Sequence, residues 1–280
     1  MNAEARQTAL LLSERLRLCL PERQRSLRAG DLLGARAGGS VEFSEHRDYV
    51  FGDDPRNVDW RAFARTDRLM VKLFREEITP QVDIILDRSL SMASDAAKED
   101  MGCFAAQLLF SCGRRRRLLT RLFALSESVV AVSDFEELEK ISPLPQEDPV
   151  PALRRAPFWG RPGVRIVISD FLFPVEAGEL FTVLAGADYT VLVQVLSDFE
   201  SDPPAMGDMR LREAETDEIL DLVLTPKAVA TYRQKLSALQ SELAARARSA
   251  GGVVAVLRGG EGISSAASRL IAGGVLEPVE

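Results

Sequence analysis

The chain has 280 residues, of which 46% are hydrophobic and 28% charged, with a net charge of −7; this composition can bury a substantial core. The acidic balance argues against nucleic acid as a partner, and one histidine and three cysteines argue against zinc sites, a disulfide framework and a Ser-His-Asp triad. The first residues carry charges in place of an apolar signal segment, and no apolar run is long enough to span a bilayer. We therefore expect a cytoplasmic protein without direct membrane insertion.

Residues 1–78 are predicted to form a helical and stranded extension that packs on the main domain. Leucines recur at helical spacing between about residues 4 and 20, which predicts an amphipathic helix. The glycine-rich stretch from Gly30 to Gly39 lacks the Gly-Lys-Ser/Thr ending of a phosphate loop, so we interpret it as a linker or turn. Residues 69–74 read as a strand near the end of the extension.

Within this extension, residues 52–65 combine helix signals with a concentration of charge. Asp54 suits a helix cap and Pro55 the first helical position, and Trp60 shares a face with Phe63, so we predict a short helix that Trp60 attaches to the main domain. A charge network among the neighbouring acidic and arginine side chains is favoured over a two-metal hydrolase. We hypothesise that the segment forms a surface specific to a partner, made by Asp53, Asp54, Arg56, Asp59, Trp60 and Arg61.

Residues 79–280 are predicted to form an α/β domain, because apolar strands alternate with helices along this whole stretch. The predicted strands are 82–86, 121–125, 129–132, 164–168, 190–196 and 253–257, and the short turn 126–128 predicts that the second and third of them form a hairpin. The predicted helices include 98–112, 175–184, 225–248 and 264–271, whereas residues 198–225 are predicted to be polar and irregular. This alternation is typical of a doubly wound, mostly parallel sheet with helices on both faces.

Asp87, Ser89 and Ser91 form an Asp-x-Ser-x-Ser motif directly after the apolar strand 82–86, and Asp170 follows the strand 164–168. Magnesium prefers oxygen ligands such as hydroxyls and carboxylates. Ligands in a doubly wound sheet bind outside the carboxyl ends of the strands, where the strand order reverses. If the two strands are neighbours, all four side chains face one metal site. The spacing alone leaves open a second interpretation, in which Asp87 caps the following turn and the serines bind backbone groups.

Several longer stretches carry a family resemblance. They are residues 41–49, 52–61, 71–77, 86–92 and 207–208 with 215–216, and the most specific is Gly-Asp-Asp-Pro-Arg-Asn-Val-Asp-Trp-Arg at 52–61. In these stretches, which cover nearly the whole chain after about residue 28, the sequence resembles the bacterial family known as domain of unknown function 58. That family is related to von Willebrand factor A domains.

The resemblance implies a von Willebrand factor A-like, Rossmann-like fold with a metal-ion-dependent adhesion site for Mg²⁺ or Mn²⁺. The residues that match this site are Asp87, Ser89, Ser91 and Asp170, with Ser133 as the best positional substitute for a third-loop threonine. Phe171 stands where many such domains have glycine. The resemblance also implies association with a MoxR-type AAA+ ATPase, and it implies no enzymatic activity.

We therefore expect a metal-dependent protein-binding adaptor that acts with such an ATPase in the assembly or maturation of another complex. An acidic residue of the ATPase or of its client protein would complete the metal site. One alternative is a metal-independent structural scaffold with a vestigial site, which chelator-insensitive partner binding would reveal. The other is a metal-dependent hydrolase that uses Asp87 and the acidic extension, which a turnover screen with Mg²⁺ and Mn²⁺ would detect.

Overall fold

The computed structural model describes residues 3–20, 41–76, 81–157, 163–174, 177–184, 186–204 and 207–279. The glycine-rich stretch between Gly30 and Gly39 lies outside the described residues, as does the start of the predicted helix 175–184. The described chain falls into two compact units. The larger unit comprises the residues up to Leu20 together with those from Gln81 onward, and the smaller unit lies between residues 21 and 80.

The elements of the described residues are numbered in chain order. The strands are β1 (Leu16–Leu18), β2 (Val41–Asp48), β3 (Met70–Glu76), β4 (Gln81–Asp87), β5 (Leu119–Leu125), β6 (Val129–Val132), β7 (Val164–Ser169), β8 (Tyr189–Leu196), β9 (Gly207–Arg212), β10 (Ile219–Leu224), β11 (Val253–Arg258) and β12 (Leu276–Pro278). The helices are α1 (Ala3–Arg15), α2 (Trp60–Thr66), α3 (Leu90–Ala93), α4 (Ala96–Arg115), α5 (Phe135–Lys140), α6 (Val150–Arg154), α7 (Ala177–Leu184), α8 (Asp198–Ser201), α9 (Pro226–Ser249) and α10 (Ile263–Ala272).

The larger unit is built on a six-stranded sheet in the order β11-β8-β7-β4-β5-β6. Every neighbouring pair is parallel except β5 and β6, which are antiparallel. The chain leaves β4 toward β5 on one side and returns to β7 on the other side, so the strand order reverses at β4. The central strands are apolar along almost their full length, which is typical of parallel strands covered on both faces. The predicted α/β class and mostly parallel sheet are confirmed.

Alternation along the strands divides the core into two hydrophobic clusters, because successive side chains point to opposite faces of a sheet. Ile84 of β4 packs in one cluster with residues of α1, α4 and α10. The next residue, Ile85, packs in the other cluster with residues of α6, α7 and α9. Helices therefore cover both faces, as the alternation of elements predicted.

The N-terminal helix belongs to the larger unit, which corrects the prediction that residues 1–78 form one extension. Ala9 of α1 is buried in the core beside α4, and Arg115 Nε of α4 donates a hydrogen bond of 2.9 Å to Ser13 Oγ. The strand β1 then pairs antiparallel with β12, with Leu16 opposite Pro278. The partner that fixes this placement lies at the far end of the sequence, so local periodicity could not reveal it.

Residues 207–224 form an antiparallel hairpin of β9 and β10, with Arg212 opposite Ile219 and Gly207 opposite Leu224. The prediction of a polar, irregular segment is wrong here. An ion pair between Arg210 and Asp221 joins the two strands. The alternation of Met209 and Leu211 with charged residues along β9 was an available signal for a strand.

The smaller unit contains the antiparallel strands β2 and β3, a 3₁₀ turn at Pro55–Asn57 and the helix α2. Asp54 caps the 3₁₀ turn and Asp59 caps α2, since each side chain accepts hydrogen bonds from backbone amides that follow it. The helix thus begins later than predicted. Trp60 is 60% exposed, and Ala62 is the buried residue of α2.

Among the described residues, no helix combines the length and apolar character that crossing a membrane requires.

Candidate metal-binding site

The carboxyl ends of β4 and β7 place three polar side chains together. Asp87 is the last residue of β4, Ser169 is the last of β7, and Asp170 follows it. The two strands are neighbours, with Leu86 opposite Ile168. This edge, beside the strand where the order reverses, is where doubly wound sheets bind ligands. The adjacency that the sequence argument required is therefore present.

Asp87 organises the loop that follows β4. Its side chain is buried, with Oδ1 accepting a hydrogen bond of 2.8 Å from the Ser89 amide and Oδ2 accepting one of 2.6 Å from Ser169 Oγ. The first of these bonds is the turn-capping contact that the sequence left open as an alternative. Each carboxylate oxygen has a second lone pair, which leaves it able to accept a water molecule as well.

The hydroxyls of Ser89 and Ser91 lie side by side, with their Oγ atoms 3.0 Å apart. Two oxygens at right angles on a Mg²⁺ ion, each at about 2.1 Å, would be about 3.0 Å apart. The pair can therefore occupy two adjacent positions of an octahedral coordination sphere. The same separation suits a hydrogen bond between the hydroxyls.

Electrostatics at Asp87 favour a cation. Burial, and next the repulsion from Asp170, raise the pKa of Asp87 to about 6, while hydrogen bonds from Ser169 and Ser89 oppose the shift. A divalent ion beside Asp87 and Asp170 would oppose this rise in the pKa of Asp87, because a nearby positive charge stabilises the ionised carboxylate.

Lys98 already supplies one positive charge to this region. Its Nζ, on a side chain with no exposed surface, donates hydrogen bonds of 2.8 Å to Asp170 Oδ2 and 2.7 Å to Glu200 Oε1. Burial lowers the pKa of Lys98, but attraction to the two carboxylates outweighs burial and the net shift is upward. Sequence reasoning missed both residues, although a lysine within the apolar side of α4 was an available signal.

Phe171 adopts a left-handed backbone conformation, with φ of 55°, immediately after Asp170. This region of φ favours glycine and costs about 1–2 kcal/mol for other residues. The Phe171 ring is buried in the second hydrophobic cluster and meets Phe173 edge to face. Burial of the ring offsets the strain of the turn that orients Asp170.

Glu215, in the turn between β9 and β10, lies against the same loop. Its Oε1 accepts a hydrogen bond of 2.7 Å from the Ser91 amide, and its Oε2 accepts one of 2.6 Å from the Gln146 amide. Sequence reasoning noted Glu215 only within a family-matching stretch and did not place it in the site. Arg88, by contrast, turns its guanidinium away to Glu99 and to the Ile141 carbonyl.

Ser133 does not join the site, and its assignment as a substitute metal ligand is corrected. It follows β6, which runs antiparallel to β5 with Val132 opposite Leu122. The end of β6 therefore lies toward the amino ends of the parallel strands, away from Asp87. Ser133 instead bonds to Glu137 through both its amide and its hydroxyl.

The predicted partner surface lies in the smaller unit, where ion pairs hold its acidic residues. Arg47 binds Asp53 at 2.8 Å and Arg56 binds Asp54 at 2.7 Å, and these hydrogen bonds lower the pKa of each carboxyl. Asp59 accepts a hydrogen bond of 2.8 Å from His46 Nε2 and lies 3.7 Å from Lys72 Nζ.

Hydrogen bonds from His46 and then from the Ala62 amide lower the pKa of Asp59 to about 2. The predicted charge network is present within this unit, and the Trp60 and Arg61 side chains are exposed beside it.

The donor set fits a hard divalent cation. Within the described part of the chain, no group of three or more His, Cys, Asp and Glu side chains is arranged to hold a metal ion. The fit to Mg²⁺ or Mn²⁺ therefore depends on the two serine hydroxyls, with Asp87 and Asp170 supplying negative charge beside them. Such an oxygen set matches the preference of Mg²⁺ and not that of thiolate-binding metals.

Comparison with known proteins places the chain among uncharacterised relatives. A family model described as "Protein of unknown function DUF58" matches residues 45–120 and 153–242, which is more than half of the chain. Proteins of Mycobacterium bovis and Mycobacterium tuberculosis, each named as uncharacterized, are 27% identical over 251 residues, covering 82% of this chain and 78% of the relative.

Two solved structures also match. A conserved hypothetical protein BatB from Bacteroides thetaiotaomicron is 15% identical, with 68% of this chain and 94% of that chain covered and a TM-score of 0.33. An aerotolerance-related membrane protein from Bacteroides fragilis is 12% identical, with 70% and 98% covered and a TM-score of 0.36.

Proposed function

The chain belongs to the family described as protein of unknown function DUF58, and from the loop after β4 we propose that it is a metal-dependent protein-binding adaptor with a von Willebrand factor A-like domain. The observation that carries the proposal is the pair of Ser89 and Ser91 hydroxyls, 3.0 Å apart, at the edge of the sheet where the strand order reverses. The neighbouring carboxylates of Asp87 and Asp170 make this edge attractive to Mg²⁺ or Mn²⁺.

In the proposed mechanism, this chain's residues hold and orient the ion and leave part of its coordination sphere open. Asp87 fixes the position of Ser89 through the Ser89 amide, and the hydroxyls of Ser89 and Ser91 would hold the metal. A bound ion would supply a positive charge to which an acidic side chain of a partner can bind. Binding of the partner then depends on the metal, because the buried carboxylates would repel that acidic side chain if no cation lay beside them.

The partner is proposed to be a MoxR-type AAA+ ATPase or its client protein, and the adaptor would serve the assembly or maturation of another complex. This part of the proposal is supported by the sequence resemblance. The three acidic residues Asp53, Asp54 and Asp59 are engaged in ion pairs and caps, so we do not propose the hydrolase that would need them as metal ligands.

Calorimetric titration of Mg²⁺ and Mn²⁺ into the metal-free protein tests the metal site. We expect saturable binding to the wild type, weakened by a factor on the order of 10–100 in Asp87→Ala and abolished in Ser89→Ala. Ser128→Ala removes an exposed hydroxyl from the β5–β6 turn and should bind metal as the wild type does. Equal binding by Ser89→Ala and Ser128→Ala would contradict the proposed site.

Lys98 favours a second candidate function, a metal-independent scaffold. Its ammonium bridges Asp170 and Glu200 and could take the place of a cation in the fold. The two candidates differ in whether partner binding depends on metal. If the adaptor proposal is correct, capture of a purified MoxR-type ATPase should be lost on adding EDTA and restored by Mg²⁺. Capture that is unchanged by EDTA would support the scaffold.

A further inference from the structure

The carboxylate of Glu215 is bound by two backbone amides, which could equally bind the carboxylate of another Asp or Glu side chain. Both of its oxygens accept hydrogen bonds from backbone amides, 2.7 Å from Ser91 and 2.6 Å from Gln146. Bonds from N–H groups to an ionised carboxylate are stronger than those between neutral groups. We call these two amides the carboxylate cradle.

The cradle is assembled without help from the hairpin that carries Glu215. The Leu90 amide donates to the Leu144 carbonyl at 3.2 Å, and the Leu144 amide donates to the Arg88 carbonyl at 3.0 Å. These backbone bonds hold the segment that contains Gln146 against the loop that contains Ser91. The Gln146 side chain also bonds to the Ser126 carbonyl, which further fixes this segment. The two amides would therefore keep their positions if Glu215 left.

Glu215 makes the hydrogen bonds that attach the hairpin to the rest of the larger unit. In the part of the chain that the structure describes, the two hydrogen bonds of Glu215 are the only ones that join residues 207–224 to the rest of the protein. No residue of the two strands is buried; Ile219, Leu220 and Val223 are 61%, 56% and 67% exposed. Removing Glu215 from the cradle would thus break few contacts, which is typical of segments that open locally.

We propose that the carboxylate cradle is the subsite for an acidic side chain of the partner, and that Glu215 occupies it in the free protein. The inference rests on the proposed function, since Ser91 contributes its hydroxyl to the metal site and its amide to the cradle. A partner's Asp or Glu bound there would lie beside the metal that it completes. Glu215 then acts as an internal competitor, because the partner binds only the fraction of molecules whose cradle is open.

Backbone amide NMR with a defined probe tests the cradle directly. The probe is an acetylated and amidated Gly-Glu-Gly peptide, and the control peptide carries Gln in place of Glu. The proteins are the wild type, Glu215→Ala and the matched control Glu213→Ala, which removes an exposed carboxylate from the same turn. Each titration is run with Mg²⁺ and, separately, with EDTA, while the Ser91 and Gln146 amide signals are followed.

In Glu215→Ala we expect the Glu peptide, and not the Gln peptide, to shift the Ser91 and Gln146 signals saturably. The wild type and Glu213→Ala should need roughly tenfold more peptide for the same shift. A well-dispersed spectrum of Glu215→Ala in which the two amides ignore the peptide would overturn the proposal, as would equal responses of the wild type and Glu215→Ala. A response that is the same with EDTA supports the cradle and counts against the metal role, so failures of the two proposals are distinguishable.

Discussion

Lys98 shows how one residue determines the charge of the candidate site. Removing a lysine and its carboxylates from water costs several kcal/mol per ion unless they pair well. Here one ammonium bonds to two carboxylates, Asp170 and Glu200, and the Asp170 Oδ1 atom accepts a further bond from the Leu172 amide. Asp170 is therefore held in a fixed orientation whether or not a metal is bound, and the serine hydroxyls are the donors left for a cation.

Asp59 provides a residue-scale prediction on pH. Its pKa is about 2 in the folded protein against about 3.9 in an unfolded chain, so its stabilising contribution is complete above about pH 4 and is lost as the pH falls through 2. Asp59→Asn keeps a capping side chain but loses the charge that pairs with His46 and Lys72. We expect the wild type to resist urea better than Asp59→Asn at about pH 5, with the difference shrinking toward about pH 2.

Fluorescence of Trp60 measures this unfolding locally, in a Trp159→Phe background that leaves Trp60 as the sole tryptophan of the chain. Asp48→Asn, which changes an exposed carboxyl of the same unit, is the control and should follow the wild type. Other carboxyls titrate alike in both proteins and cancel in the difference. A difference between wild type and Asp59→Asn that stays constant from pH 5 to about pH 2 would show that the ion pairs do not stabilise this unit.

At the scale of elements, the approach of β11 to β8 depends on Gly252. A Cβ at this position would lie 1.8 Å from the Thr190 carbonyl oxygen, and the Gly252 amide donates to the Ala247 carbonyl at the end of α9. Since these groups are backbone, they cannot move aside as a flexible side chain would. We expect Gly252→Ala to destabilise the protein by about 1–3 kcal/mol or more.

Urea unfolding tests this prediction. We expect Gly252→Ala to be half unfolded at a lower urea concentration than the wild type, with the same dependence of the unfolding free energy on urea. Gly262→Ala is the matched control, because a Cβ there meets nothing within 4 Å and its φ of −69° suits any residue. Unfolding of Gly252→Ala at the wild-type midpoint would mean that β11 shifts without cost, and the close approach would then not stabilise this edge of the sheet.

At the scale of the whole molecule, the chain combines two compact units with different candidate roles. The larger unit carries the candidate metal site and the proposed cradle, and the smaller unit carries the surface around Trp60. Exposed tryptophans are frequent among the residues that dominate binding energy in protein interfaces. Trp60 meets Phe63 edge to face at 6.2 Å, which holds one side of the ring while most of it faces solvent.

We therefore expect Trp60→Ala to weaken capture of a purified MoxR-type ATPase by on the order of tenfold, a loss of about 1.4 kcal/mol. Thermal stability should change by less than about 0.5 kcal/mol, as for other surface substitutions. Leu69→Ala, which truncates another exposed apolar residue of the same unit, is the control. Equal capture by the wild type and Trp60→Ala would remove this surface from the proposed interaction.

The sequence by itself determined the class of the fold and the position of the serine motif. Apolar runs such as 82–86 and 164–168 form buried strands, and such runs can be recognised from neighbouring residues alone. The Asp87-x-Ser89-x-Ser91 loop lies at a carboxyl strand end for the same reason. The reversal of strand order at β4 follows the doubly wound pattern, so the placement of Asp87 and Asp170 at the same edge of the sheet was also predictable.

Only the tertiary structure decided which distant residues complete the site. Lys98 meets Asp170 across 72 residues, and Glu215 meets the Ser91 amide across 124. Ser133 lies away from the site because β6 runs antiparallel to β5, as the predicted hairpin requires, although the assignment of Ser133 did not take that direction into account. Periodicity reveals which face of an element is apolar, whereas contacts between polar side chains depend on strand order, strand direction and the side on which each connection crosses.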